Sequence, residues 1–194
     1  MLSMVQGQTE FGLKAGANFA SYKYATSDQL VDASPRTSFY IGGYLNTPMT
    51  QRIDLHPEIS LQGKGAKLKE SSNWGNAKVT QRVMWLDFTA NVLVKIPAKN
   101  VGHFFTGAGP YVGFPINGEN NYAGGNTTAA IIYKDNALKS VDYGVNFLGG
   151  IKFLRKLSFH ISYRLGFANI ANTNYKWSDS VKNKVLSIGL GIGL

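Results

Sequence analysis

From Phe11 onward the chain alternates in character with period two, and no other feature constrains its fold more. Successive side chains of an extended strand point to opposite faces, so the alternation assigns each residue to one of two surfaces. In the opening segment Phe11, Leu13, Ala15, Ala17 and Phe19 share one face, and Gly12, Lys14, Gly16 and Asn18 share the other. Next, Phe39, Ile41, Gly43 and Leu45 oppose Ser38, Tyr40, Gly42 and Tyr44. The cleanest segment sets Ile53, Leu55, Pro57, Ile59 and Leu61 against Asp54, His56, Glu58, Ser60 and Gln62. Pro57 has no N–H to give to a ladder, so a bulge or a lost bond is expected there. Further alternating segments run from Leu86 to Ile96, Phe104 to Phe114, Val141 to Phe153, Leu157 to Phe167 and Leu186 to Leu194, which brings the expected total to about eight strands.

The connections alternate too. Those near 48–51, 97–102 and 154–156 are short, and those near 25–35, 68–79, 117–140 and 171–182 are long. Short turns at one end and long loops at the other are the pattern of transmembrane barrels. A soluble up-and-down barrel alternates as well, but its apolar face fills the inside. Here the second face carries Gly12, Gly16, Gly42, Gly189, Gly191 and Gly193 among charged and amide side chains, which suits a crowded polar lumen and not a solvated exterior. The Leu, Ile, Val and Phe face is then left for lipid. The expected fold is all-β: an eight-stranded antiparallel up-and-down transmembrane β-barrel over residues 9–194, with short periplasmic turns and long outer loops, in the outer membrane of a Gram-negative bacterium.

Composition agrees where it speaks. At 194 residues one domain suffices, and uninterrupted apolar stretches such as Ala129 to Tyr133 are far shorter than the roughly 18 to 20 residues a membrane-crossing helix needs. The 22 glycines favour short strands and tight turns, and the absence of cysteine removes disulfides, thiolate metal sites and cysteine nucleophiles together. A formal charge of +9 fits anionic partners. The basic residues are dispersed without a helical stripe or RNA-binding aromatic motif, so nucleic acid is not an expected partner. Residues 1–8, apolar with small residues toward the end, read as a remnant of a signal peptide.

Five short stretches carry a resemblance: Gly12-Leu-Lys-Ala-Gly-Ala-Asn18, Trp85-Leu-Asp-Phe88, Gly107-Ala-Gly-Pro-Tyr-Val-Gly113, Asp142-Tyr-Gly-Val145 and Ser162-Tyr-Arg-Leu-Gly-Phe-Ala-Asn-Ile170. In their order and spacing they resemble the outer-membrane β-barrel domain family of Bacteroidota, the PorT-like group. That resemblance implies an eight-stranded barrel in a diderm outer membrane, no catalytic residues to carry over, and roles that in one member include protein secretion.

Candidate chemistry is sparse. His160 and Ser162 lie two apart on one strand face, the spacing by which a base activates a serine, and the pair resembles the His-x-Ser of outer-membrane lipid A deacylases. It falls on the lumen face with no acid following, so an enzyme is not expected. His56 and His103 have no third ligand at metal spacing, and no glycine-rich phosphate loop leads a strand into a helix, so neither metal nor cofactor is expected. The charged residues carry more. Lys14, Glu58, Asp87 and Arg164 fall on the polar face of different strands and are expected to pair inside the barrel. Lys23, Lys64, Lys67, Lys69, Lys78 and Arg82 fall near the outer strand ends, where lysines 64, 67 and 69 above all could meet lipopolysaccharide phosphates. The function expected is a structural, adhesion, interaction or secretion-accessory barrel with a plugged lumen, in contact with outer-membrane lipid and a secretion or surface protein. The alternatives are a soluble lipocalin-like carrier of an apolar ligand and the deacylase.

Overall fold

The structure, a computed structural model, describes residues 8–26, 29–32, 34–72, 75–98, 102–122, 128–130, 138–153, 156–171 and 180–194. Residues 1–7 of the signal-like segment and parts of every long connection lie outside them. The chain forms β1 (Glu10–Thr26), β2 (Gln29–Asp32), β3 (Ser34–Pro48), β4 (Ile53–Ser72), β5 (Gly75–Ala98), β6 (Gly102–Tyr122), β7 (Thr128–Ala130), β8 (Asp142–Phe153), β9 (Leu157–Gly166) and β10 (Ser180–Gly193). Long strands β1, β3, β4, β5, β6, β8, β9 and β10 pair with their neighbours, and β1 pairs antiparallel with β10 from Gly12↔Gly193 to Ala25↔Ser180, so the sheet closes as an eight-stranded barrel. Short β2 and β7 add to the outer ends of β1 and β6.

The period seen in the sequence is the period of the wall. Phe39, Ile41, Ile59, Phe88, Val92, Phe147, Ile161 and Leu190 lie exposed on the outside, while the alternate residues are buried in the lumen. An exposed apolar belt around a polar interior is the reverse of a lipocalin, and the soluble-carrier reading gives way to a transmembrane one.

Three details depart from the sequence pattern. The outer connections near 25–35 and 68–79 are mostly strand: β4 and β5 remain paired from Lys67↔Thr80 to Ser72↔Gly75, well past the apolar belt. At Pro57 the β4–β5 register is unbroken, and the β3–β4 ladder passes from Tyr44↔Glu58 to Thr47↔Leu55 without a shift, so the proline interrupts bonding without making a bulge. Register shifts lie farther out, between Met84 and Trp85 on β5 and between Pro35 and Tyr40 on β3, the latter beside Gly65 of β4 with its φ of 135°. There Ser38 Oγ donates to the Gly63 carbonyl (2.5 Å) and Arg36 donates to that of Lys64 (3.4 Å), so side chains reach carbonyls where regular pairing lapses.

The lumen glycines answer to two tyrosines. Gly12 pairs with Tyr44 and Gly16 with Tyr40 across the β1–β3 ladder. A Cβ on Gly12 would stand 2.2 Å from the Tyr44 ring, and one on Gly189 2.1 Å from the Tyr40 hydroxyl. Small residues on one strand leave the space that large rings from the next strand fill.

Candidate functional site: the lumen and the outer rim

Four strands place charges at one depth of the lumen, because β1, β4, β5 and β9 keep the parity that turns Lys14, Glu58, Asp87 and Arg164 inward. Glu58 accepts from Lys14 on one side and from Arg164 on the other, the latter at 3.2 Å. Arg164 Nε also stands 3.7 Å from an Asp87 oxygen. Lys64 and Asp142 extend the series: Lys64 Nζ lies 3.0 Å from Asp87 and 3.1 Å from Asp142. Tyr111 and Asn183 donate to the same Asp142 oxygen at 3.1 and 2.8 Å. The sequence Lys14, Glu58, Arg164, Asp87, Lys64, Asp142 therefore alternates in sign from end to end. Every member is at most 6% exposed, and charges so enclosed are tolerable only when paired and hydrogen-bonded.

Lys64 is thus misplaced by the sequence reading that set it on the rim. Its even position continues the inward parity of Glu58 and Gln62, and β4 continues eight residues beyond it to Ser72, so it is a lumen residue and is not exposed to lipopolysaccharide. Its ammonium lies 4.9 Å from the Trp85 ring centroid and 5.0 Å from that of Tyr111, a cation–π arrangement on two faces. Lys67 is exposed on the outside of β4. The side chains of Lys69 and Lys78 fall outside the described part.

Toward the inner mouth two more ion pairs form, Lys152 with Glu10 and Lys95 with Asp54 at 2.6 Å. His56 Nδ1 bonds Asn46 Oδ1 at 2.6 Å and stacks on Tyr44 with centroids 4.8 Å apart. His160 Nε2 shares a hydrogen bond of 2.5 Å with the Tyr40 hydroxyl. Both His160 and Ser162 face the lumen, away from the lipid where a deacylase would find its substrate. No cluster of three or more metal-ligating side chains occurs among the described residues.

Toward the outer mouth the lumen changes material. Beyond the uncharged polar layer of Asn18, Gln62 and Ser187, Tyr22, Ala66, Val83, Trp85 and Val181 from the walls meet Leu138, Ala168, Ile170 and Ala171 in one buried apolar cluster. Lys139 N–H bonds the Ile170 carbonyl (2.8 Å) and Ile170 N–H that of Val181 (2.9 Å), fixing the two connecting segments across the mouth. The sequence reading missed this cap, since Leu138 and Ile170 stand outside every period-two run, and it missed Asp142, although Asp142 sits on the polar face beside Val141 and Tyr143.

A closed antiparallel barrel, banded with apolar residues outside and ionic within, is the form of an outer-membrane protein. Residues 5–172 match the family described as outer membrane protein beta-barrel domain. The chain belongs to that family. Its place is the outer membrane of a Gram-negative bacterium. No curated protein shows significant sequence similarity to it. Among solved structures, this outer-membrane barrel is similar to the attachment invasion locus protein Ail of Yersinia pestis, in complex with the heparin analogue sucrose octasulfate, with 12% identity over 97% of this chain and 100% of that one and a TM-score of 0.49. Neisserial surface protein A is similar at 12% identity, 96% and 99% coverage and a TM-score of 0.49. The outer membrane protein OprG of Pseudomonas aeruginosa is similar at 12% identity, 98% and 99% coverage and a TM-score of 0.43.

The rim of the barrel is basic on two sides. On β5, Arg82 is half exposed and lies 3.6 Å from Glu119 of β6. On β1 and β10, Lys23 and Lys182 are exposed and stand directly opposite each other in the ladder.

Proposed function

We propose that this barrel works by its outer surface and not by its lumen: it is a non-conducting membrane protein with a structural, adhesion or secretion-accessory role, in contact with the lipopolysaccharide around it. The observation that carries the reading is the double closure of the interior. Eight strands enclose a space only wide enough for side chains, and here six alternating charges cross it below an apolar cap. A solute would have to break buried ion pairs and then displace Trp85 and Ile170. The strands β4 and β5, 20 and 24 residues long, exceed the roughly 9 to 11 residues that cross a bilayer, so about half of each stands clear of the membrane as a surface for a partner. The PorT-like resemblance favours a secretion or surface protein as that partner.

The test is single-channel recording of the purified protein in planar bilayers. The expected trace shows no steady conductance. Porin-like steps in the wild type would defeat the reading.

A further inference from the structure

The charge of this protein is not where its ion pairs are. The five basic and five acidic residues paired in the lumen and at its inner mouth cancel, so the whole formal charge of +9 belongs to the remaining residues of the chain. Among these, Lys23 of β1 and Lys182 of β10 are register partners, both exposed on the outer face. Residues directly opposite in an antiparallel pair have Cβ atoms roughly 4.5 to 5.5 Å apart, and like charges there destabilise the sheet. One row nearer the membrane on the same face is Lys184, opposite Ser21. One row nearer again is the pair Phe19 and Leu186, both exposed members of the apolar belt. At roughly 3.3 Å per residue, the Cα atoms of the two lysines stand about 13 Å along the strands from this first apolar row, and less than that above it because the strands tilt, so their long side chains reach down toward a headgroup layer roughly 5–7 Å deep.

We propose that Lys23 and Lys182, with Lys184 below them, form a site for a phosphate of an outer-leaflet glycolipid, whose acyl chains lie against Phe19 and Leu186. The inference rests on the surface-acting, outer-membrane reading above and adds to it the chemistry and place of one contact. A phosphate between the two ammonium groups turns a repulsive pair into two charge-assisted hydrogen bonds. Asp32 is the register partner of Lys23 on β2, on the side of β1 away from Lys182. The contrasting basic residue is Arg82, which already has Glu119 beside it on the other wall.

The experiment measures binding of rough-type lipopolysaccharide to the full chain in detergent at physiological salt, alongside the same lipopolysaccharide after dephosphorylation and inorganic phosphate as competitor. The double variant Lys23→Gln/Lys182→Gln should bind about tenfold more weakly, the loss of two amines each acting near an anionic surface. Dephosphorylation should weaken wild-type binding to a similar degree, Lys23→Arg/Lys182→Arg should keep it, and Arg82→Gln should leave it within about twofold. All variants should keep the gel shift of a folded barrel, since the side chains changed are exposed. Unchanged affinity in the glutamine variant, or equal binding of the dephosphorylated lipid, overturns the site. Complete displacement by millimolar inorganic phosphate overturns the lipid occupant and leaves a simple anion site. None of these results depends on conductance, so the non-conducting reading stands or falls separately.

Discussion

The two halves of the lumen close the same barrel by different physics. In the inner half, Glu58 sits between Lys14 and Arg164 and Asp87 between Arg164 and Lys64, so each charge is held by partners from other strands. In the outer half, the side chains of Val83, Ile170 and Leu138 fill space around the Trp85 ring by apolar contact, with no ion pair among them. Ion pairs fix which residue meets which but lose heavily when one partner goes, whereas apolar fill loses in proportion to the volume removed. The comparison teaches that the inner half sets the register of the wall and the outer half seals it.

The largest effect should follow from removing the residue that joins two carboxylates. Arg164→Ala leaves Glu58 with one cation instead of two and removes the guanidinium beside Asp87, at a cost of roughly 3–5 kcal/mol for breaking a buried pair. Thermal unfolding in detergent reads this directly, and a midpoint unchanged from wild type would deny the inner half its role. In the outer half, Ile170→Ala deletes a fully buried side chain from a cluster at the open end, where the connecting segments can partly collapse. A loss of about 2–3 kcal/mol is expected, the lower part of the range for such truncations. If Ile170→Ala costs more than Arg164→Ala, the ranking of the two halves is reversed.

A smaller effect sharpens the distinction between pairing and filling. Lys14→Met leaves Glu58 with Arg164 as its one cation, whereas Glu58→Gln takes from both Lys14 and Arg164 their nearest carboxylate, so adding Lys14→Met to Glu58→Gln removes one of the two cations left without it. The double variant should be less destabilised than the sum of Lys14→Met and Glu58→Gln, by about 1–2 kcal/mol in a double-mutant cycle. Strict additivity of the single changes would mean that Lys14 and Glu58 act independently, against their direct contact.

How much of this the sequence showed follows from the same division. The wall was legible because lipid outside and polar groups inside impose period two on residues such as Ile53 to Leu61; parity turns Lys14, Glu58 and Arg164 inward, and counting from the short turns sets Glu58 and Arg164 at similar depth. The outer parts of β4 and β5 were not legible. Beyond the membrane both faces of a strand meet polar surroundings, so Lys67 to Ser72 and Gly75 to Thr80 carry no apolar stripe, although they pair residue for residue. Lys64 was misread for that reason: the strand looked finished, and the inward parity that should have decided its side was not followed past Gln62. The cap was hidden more deeply, because Leu138 and Ile170 reach Trp85 from connecting segments whose path no local pattern states.

The smallest effect belongs to the rim, where neither kind of closure operates. Arg82 and Glu119 form an ion pair at 3.6 Å with side chains 52% and 43% exposed. Water and salt screen such a pair, and holding two long side chains in one geometry has an entropic cost that offsets most of the attraction. Arg82→Ala should therefore change stability by no more than about 0.5 kcal/mol, and raising the salt should shrink even that. The measurement is the unfolding midpoint of Arg82→Ala beside that of Arg164→Ala at low and high ionic strength. Both arginines face a glutamate, at 3.6 and 3.2 Å respectively, and they differ in burial and in the second carboxylate, Asp87, that stands 3.7 Å from Arg164. A loss at Arg82 approaching that at Arg164 would mean that neither burial nor the second carboxylate governs these ion pairs, and the contrast between lumen and rim would have to be abandoned.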